Sequence, residues 1–228
     1  MAKKRETRQG SGHVACRFPQ AMIWLTKEKL AQLAENAPAH LKKAPPRRIL
    51  AFDVETPNNH GAAMCSIGLT VMEDDRVLYT KEYLMNPEAE FDWRCIRVHG
   101  IRPQDVENEP AFPQVWPLLE PEFLKADLVI AHNAGFDLGV LKKVLHRYGL
   151  WLRPVRYADT VTMSRAVFAA DMPNHKLGTL CECLGIDLDA HHAGSDSYGC
   201  AGVYACMLRR GANLAEYEKT YSFDVKEA

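Results

Sequence analysis

Residues 49–56 read ILAFDVET. Ile49, Leu50, Ala51, Phe52 and Val54 form a nearly continuous apolar run, the mark of a strand inside a sheet rather than one with a face in water. Asp53 and Glu55 interrupt it. Two residues apart on a strand, their side chains point to the same face. Two carboxylates side by side in a half-buried place are unfavourable by several kcal/mol unless a proton or a cation neutralises them. A second reading is open: Thr56-Pro57-Asn58-Asn59 starts a loop, so the acids could lie at an exposed strand end.

Downstream, AAMCSIGLTVM (62–72), the turn-like EDDR (73–76) and VLYTKEYLM (77–85) predict two further strands, joined to the first as an antiparallel meander. The stretch to Pro110 carries weak helical signals, and FPQVWPLLEPEFL (112–124) reads as short helices. DLVIAHN (127–133) reads as a buried strand. FDLGVLKKVLHRYGL (136–150) follows as a helix with Leu138, Leu141, Val144 and Leu145 on one face and Gly149 near its end. Tyr157–Thr160 reads as a short strand leading into VTMSRAVFAA. HKLGTLCECLG (175–185) is a helix with a glycine stop, and SYGCAGVYACMLRR (197–210) is the last helix, whose Arg209 and Arg210 suit its C-terminal dipole. Strands first, then helix and strand in alternation, predict an α/β domain with a mixed sheet.

Two more acids stand at element boundaries. Asp137 in HNAGFD (132–137) follows a strand and opens a helix, so it is either an N-cap or a site carboxylate at the C-terminal edge of a sheet. Asp196 in HHAGSD (191–196) begins the last helix. Four carboxylates on three segments are the oxygen donors that Mg²⁺ and Mn²⁺ take. Two such ions can clamp a phosphodiester through its attacking and leaving oxygens. His191 and His192 precede Asp196 by five and four residues; such polar residues before a helix can also be capping or solvated.

Charge limits how this 228-residue chain could meet a phosphate. Its net charge of −1 hides 11 lysines and arginines against 3 acids in residues 1–48, and 17 against 26 in the remainder. An acidic main domain does not hold nucleic acid by bulk charge; it needs bound cations, local basic patches or the basic arm. The linker KKAPPRR (42–48) divides the chain into a basic N-terminal extension with a short helix over 1–47, a main domain over 48–210 and a C-terminal tail over 211–228. No apolar run reaches membrane-spanning length, the basic stretch MAKKRETRQGSGHVACRF (1–18) lacks the apolar segment and small-residue cleavage site of a secretory signal, and no P-loop, G-x-G-x-x-G or G-x-S-x-G is present. The 7 cysteines contain no C-x-x-C pair and are read as reduced, so a cytoplasmic protein without a membrane partner is expected.

FDVET, HNAGFD and HHAGSD, in that order, resemble the three exonuclease motifs of the DEDDh 3′–5′ exonucleases, which include the epsilon proofreading subunit of bacterial DNA polymerase III and the exonuclease X type. SIGL (66–69), VHGIRPQDVENEPAFPQVWPLL (98–119) and HKLGTLCECLGIDL (175–188) are similar too, so the resemblance covers roughly 48–210. It implies a ribonuclease H-like α/β fold with a central mixed sheet of about five strands flanked by helices. It also implies hydrolysis of DNA or RNA from a free 3′ end to nucleoside 5′-monophosphates, with two Mg²⁺ or Mn²⁺ ions and a polymerase or repair protein as the kind of partner. Asp53, Glu55, Asp137 and Asp196 would be the catalytic, metal-holding acids, with Asp53 between the ions. His191, in the pattern H-x-A-x-x-D with Ala193, would be the general base, a role suited to an imidazole that ordinarily titrates near 6.5. His192 stands where tyrosine-type relatives carry tyrosine, which indicates the histidine class. Thr56 would contact the terminal sugar, and Asn133 and Phe136 the end base or ribose, although Phe136 fits a core position equally well. After Thr56 the text PNNHGAAMCS departs from the family's usual Thr-Gly pair, which puts the terminal-nucleotide pocket in question. A non-catalytic nucleic-acid-binding module on this fold would lack a motif acid or the histidine, and none is lacking. An endonuclease of the ribonuclease H type does not use this histidine spacing.

Overall fold

The computed structural model describes residues 46–224, so the short helix and Cys16 of the N-terminal extension lie outside the described residues. Six strands, β1 (Arg48–Glu55), β2 (Ser66–Glu73), β3 (Arg76–Leu84), β4 (Leu128–Ala131), β5 (Val155–Asp159) and β6 (Lys219–Tyr221), form one sheet in the order β3-β2-β1-β4-β5-β6. β1, β2 and β3 pair antiparallel as the expected meander, β4 and β5 run parallel to β1, and β6 closes the far edge antiparallel to β5. The helices are α1 (Trp93–His99), α2 (Pro103–Val106), α3 (Phe112–Lys125), α4 (Ala134–Arg147), α5 (Thr160–Val167), α6 (Leu177–Leu184) and α7 (Ala193–Arg209).

The apolar run in β1 has the expected cause: the strand is covered on both faces. Leu50, Phe52 and Val54 enter a core with Phe112 and Phe123 of α3 and Leu138 and Leu141 of α4. Ile49 and Ala51 enter the opposite core with Ile130 of β4, Ala158 of β5, and Met163, Leu180 and Val203 from α5, α6 and α7. Asp53 and Glu55 continue this second face, where the apolar surface gives out at the C-terminal end of the strand. β4 is parallel to β1, so Asp137, on the helix following β4, comes to the same edge of the sheet.

Two elements differ from the sequence reading. The segment 112–125 is one helix of 14 residues, although Pro117 and Pro121 each remove a backbone donor from its interior. Its Phe112, Val115, Trp116, Leu119 and Phe123 are buried at helical spacing, and that packing outweighs the lost bonds. The sheet has six strands rather than about five. Residues 219–221, expected in a tail, pair with β5, and Phe223 beyond them is 1 % exposed in the core. Glu218 fixes this strand by accepting from both Arg47 and Arg156, while the Phe223 carbonyl is bonded to His146 at 2.9 Å.

α7 is buried along most of its length and lies directly on β2. Gly68 makes the approach possible. A Cβ there would stand 1.9 Å from the Ala193 carbonyl oxygen and 2.4 Å from the Gly194 nitrogen. One turn further on, Thr70 and Ser197 share a hydroxyl hydrogen bond of 2.9 Å. Gly68→Ala therefore has to push the first turn of α7 off the sheet. Overpacking of this kind costs about 1–3 kcal/mol or more, or roughly 2–4 °C of Tm per kcal/mol for a chain of this size. Thermal melting checks it against Gly139→Ala, where a Cβ meets nothing within 4 Å and the helix should gain slightly. Equal melting temperatures for the two variants would contradict this packing.

Among the described residues, no helix is long and apolar enough to cross a membrane. Cys65, Cys95, Cys181, Cys183 and Cys200 are free thiols.

Candidate active site

Three segments converge at the C-terminal edge of β1. Asp53 and Glu55 come from the strand itself, Asp137 from the first turn of α4, and Asp196 from the first turn of α7. Asp137 is not the N-cap of its helix. That place is taken by Asn133, in the left-handed region at φ 78°, whose N–H donates to Asp159 Oδ1 at 3.0 Å. Asn tolerates this conformation better than most residues. Asp137 is thereby freed to turn inward; it is 2 % exposed and accepts from the Val54 N–H at 3.2 Å. Glu55 and Asp196 are each 9 % exposed.

Burial is the leading influence on every one of these acids, and it favours the proton. It pushes Glu55 up to about 8, with the charges of Asp196 and Asp137 adding to the effect. Asp137 is also pushed up to about 8 by burial, against the Val54 hydrogen bond that favours its anion. Asp53 is driven well above the usual carboxylate range by burial and then by Asp137, Asp196 and Glu55. Asp196 is raised less, because the His191 N–H and the two neighbouring histidines favour its charged form. The exposed-strand-end reading of Asp53 and Glu55 does not hold.

His191 lies on the turn leading into α7, at φ 66°, outside the region most residues prefer. Its backbone N–H donates to Asp196 Oδ2 at 2.9 Å, and its ring is exposed to solvent. Glu55, His191 and Asp196 each offer a ligand atom, and these atoms lie within 4.8 Å of one another. His192, the N-cap position of α7, faces outward instead, with Nε2 3.6 Å from Asp189 Oδ2. The adjacent histidines are thus separated: one joins the acids and the other does not.

The expected substrate-contacting residues fall into two kinds. Phe136 is 49 % exposed at the start of α4, beside exposed Asn133, so it is not a core residue. Thr56 is 9 % exposed and already engaged, with its carbonyl held by His99 Nε2 at 3.1 Å. His99 accepts from the Ile101 N–H through Nδ1 at 3.0 Å, which makes Nε2 the donor and the ring neutral; burial lowers its pKa. It ties α1 to the residue after Glu55. Sequence reasoning passed over Glu82 on β3, whose charge acts on Asp53, Glu55 and Asp196.

The donor set fits a divalent cation. Four buried or nearly buried carboxylates oppose one another at one edge, and a hard cation resolves that conflict without protonating them. The sign of the pH effect follows. Raised folded-state pKa values contribute stability that is present below the unfolded value near 4 and is lost as pH rises through about 8. In EDTA the melting temperature should therefore fall between pH 7 and 8.5, above the range where His99 and His132, whose pKa values burial lowers, act in the opposite sense. Adding Mg²⁺ or Mn²⁺ should restore more at pH 8.5 than at pH 7. A flat or rising metal-free profile would contradict the cluster.

The Exonuclease family, RNase_T, matches residues 50–204. The 3′–5′ exonuclease DinG of Bacillus subtilis is 33% identical over 159 residues, covering 66% of this chain and 16% of DinG. The PolC-type DNA polymerase III of Caldanaerobacter subterraneus is 29% identical over 164 residues, covering 71% of this chain and 12% of the polymerase. The chain thus spans less than a fifth of these curated relatives. Among solved structures, exonuclease X in complex with 5′ overhanging duplex DNA superposes with a TM-score of 0.59 at 20% identity, covering 75% of this chain and 95% of that one. The shared fold is ribonuclease H-like, and in this chain it is a mixed six-stranded sheet flanked by helices.

Proposed function

The chain belongs to the RNase_T exonuclease family, and from that premise we propose that it is a metal-dependent 3′–5′ exonuclease. It would hydrolyse DNA or RNA one nucleotide at a time from a free 3′ end and release nucleoside 5′-monophosphates. The observation that carries the reading is the meeting of Asp53, Glu55, Asp137 and Asp196 at one sheet edge, with a His191 ring nitrogen beside Glu55 and Asp196.

In this reading the four carboxylates hold two Mg²⁺ or Mn²⁺ ions, with Asp53 central among them. When bound, such ions lower the pKa of water and stabilise charge on a phosphodiester. The chain's own residues do the remaining work. His191 takes the proton of the attacking water on a ring nitrogen, which its exposed turn holds beside Glu55 and Asp196. Asp196 accepts the His191 N–H and so sets the turn that carries the base. Asn133 and Phe136, exposed beside Asp137, meet the terminal base or ribose. Thr56 meets the sugar through its hydroxyl, its carbonyl being held by His99. The catalytic set is complete, which disfavours a binding-only module. A polymerase or repair protein as partner and a cytoplasmic setting, in keeping with five free thiols, complete the reading.

A time course with single-stranded DNA and RNA oligonucleotides labelled at the 5′ end tests it. With Mg²⁺ or Mn²⁺ the label should move down a ladder one nucleotide at a time, and EDTA should stop it. Internal cuts, or no cleavage with binding intact, would overturn the exonuclease.

A further inference from the structure

Glu82 lies outside the three sequence motifs, yet the sheet delivers it to the same site. The register pairs Asp53 of β1 with Gly68 of β2, and Gly68 with Glu82 of β3, so the two acids lie in one row on the face that carries α7. The residue between them has no side chain to screen one from the other. Two neighbours are shaped around this carboxylate. Ser66, two residues before Gly68 and paired with Glu55, donates its hydroxyl to Glu82 Oε1 at 2.9 Å. At Gly194, in the first turn of α7, a Cβ would stand 3.0 Å from both Glu82 Cβ and Oε2, so the missing side chain leaves room for the glutamate. Beyond it opens a cleft of about 590 Å³ that Glu82 lines together with His99 and His192.

A half-buried glutamate held beside four other acids works against the fold unless something positive benefits from it. Its carboxylate is not part of the close group formed by Glu55, His191 and Asp196. We infer that Glu82 is a positioning residue of the ion site: a fifth carboxylate, clamped by Ser66, that strengthens divalent-ion binding from outside the group of direct ligands. This rests on the proposed metal-dependent reading and adds to it a residue that the four-acid, one-histidine set does not contain. Outer partners of this kind typically change ion affinity by about 10–100-fold when removed.

The experiment is Mn²⁺ titration of the full chain, without nucleic acid, by calorimetry. Glu82→Gln, nearly the same shape without the charge, should raise the Kd for Mn²⁺ by about 10–100-fold. Ser66→Ala should shift it in the same direction by less, and Glu82→Asp, which keeps the charge, should restore most of the affinity. Melting in EDTA should show Glu82→Gln at least as stable as the parent, since a repelling charge has gone, which separates an ion effect from damage to the fold. Unchanged Mn²⁺ affinity in Glu82→Gln overturns the role of Glu82 and leaves the exonuclease reading standing. If the parent chain takes up no Mn²⁺, the metal-dependent reading fails and this inference fails with it.

Discussion

Asp53→Asn should give a folded protein that has lost nearly all of its turnover. Asp53 sits centrally among the acids, with Glu55, Asp137, Asp196 and Glu82 all acting on it. Its change to the isosteric amide removes a charge that the metal-free fold does not favour, so melting in EDTA at neutral pH should rise rather than fall. Each kcal/mol relieved is worth roughly 2–4 °C in a domain of this size. Turnover should respond in the opposite direction. Metal-centred stabilisation of a phosphodiester transition state supplies several kcal/mol. At 1.36 kcal/mol per tenfold, a loss of about 5 kcal/mol lowers kcat between three and four orders of magnitude. The two readouts together make the test sharp: a variant that melts higher and does not turn over has lost ion chemistry, not structure. Retained activity in a folded Asp53→Asn protein would remove the two-ion scheme.

The parts of this site that could be read from the chain are those whose chemistry is local. ILAFDVET declares its conflict within eight residues, because an apolar run and two acids cannot share a buried strand without a third party. The α/β order, the meander and the placing of Asp137 and Asp196 at element starts follow from periodicity in the same way. What could not be read depends on register and packing. Glu82 sits in VLYTKEYLM, where nothing in the text says that it falls opposite Gly68 and thus in line with Asp53. α3 was hidden by its own prolines, which report local cost but not the five buried side chains that offset it. β6 is three residues long and takes its identity from β5 and from Glu218 between two arginines. The left-handed turn at Asn133, which frees Asp137 from capping, gives no sequence signal beyond the residue's tolerance for that conformation.

His191→Ala should lower kcat by about 10²–10⁴, the usual contribution of a general base, while His192→Ala should leave it near the parent value. The geometry separates them: the His191 ring joins Glu55 and Asp196, whereas His192 points toward Asp189 at the surface. A second variant guards against misreading a structural effect. His191 is at φ 66°, where alanine is strained and glycine is not. His191→Gly should therefore melt at or above the parent while losing as much turnover as His191→Ala. Both variants keep the backbone N–H that Asp196 accepts, so the acid stays in place when the ring is gone. Added imidazole should recover part of the rate in His191→Gly, because a free base can enter the space the ring has left. The ring's nearness to Glu55 and Asp196 also fits an ion ligand, and Mn²⁺ titration distinguishes the two roles. A base leaves the Mn²⁺ affinity of His191→Gly close to that of the parent, whereas a ligand lowers it along with the rate. Loss of turnover in His192→Ala, with His191→Ala unaffected, would move the base by one residue and reverse the roles of the pair.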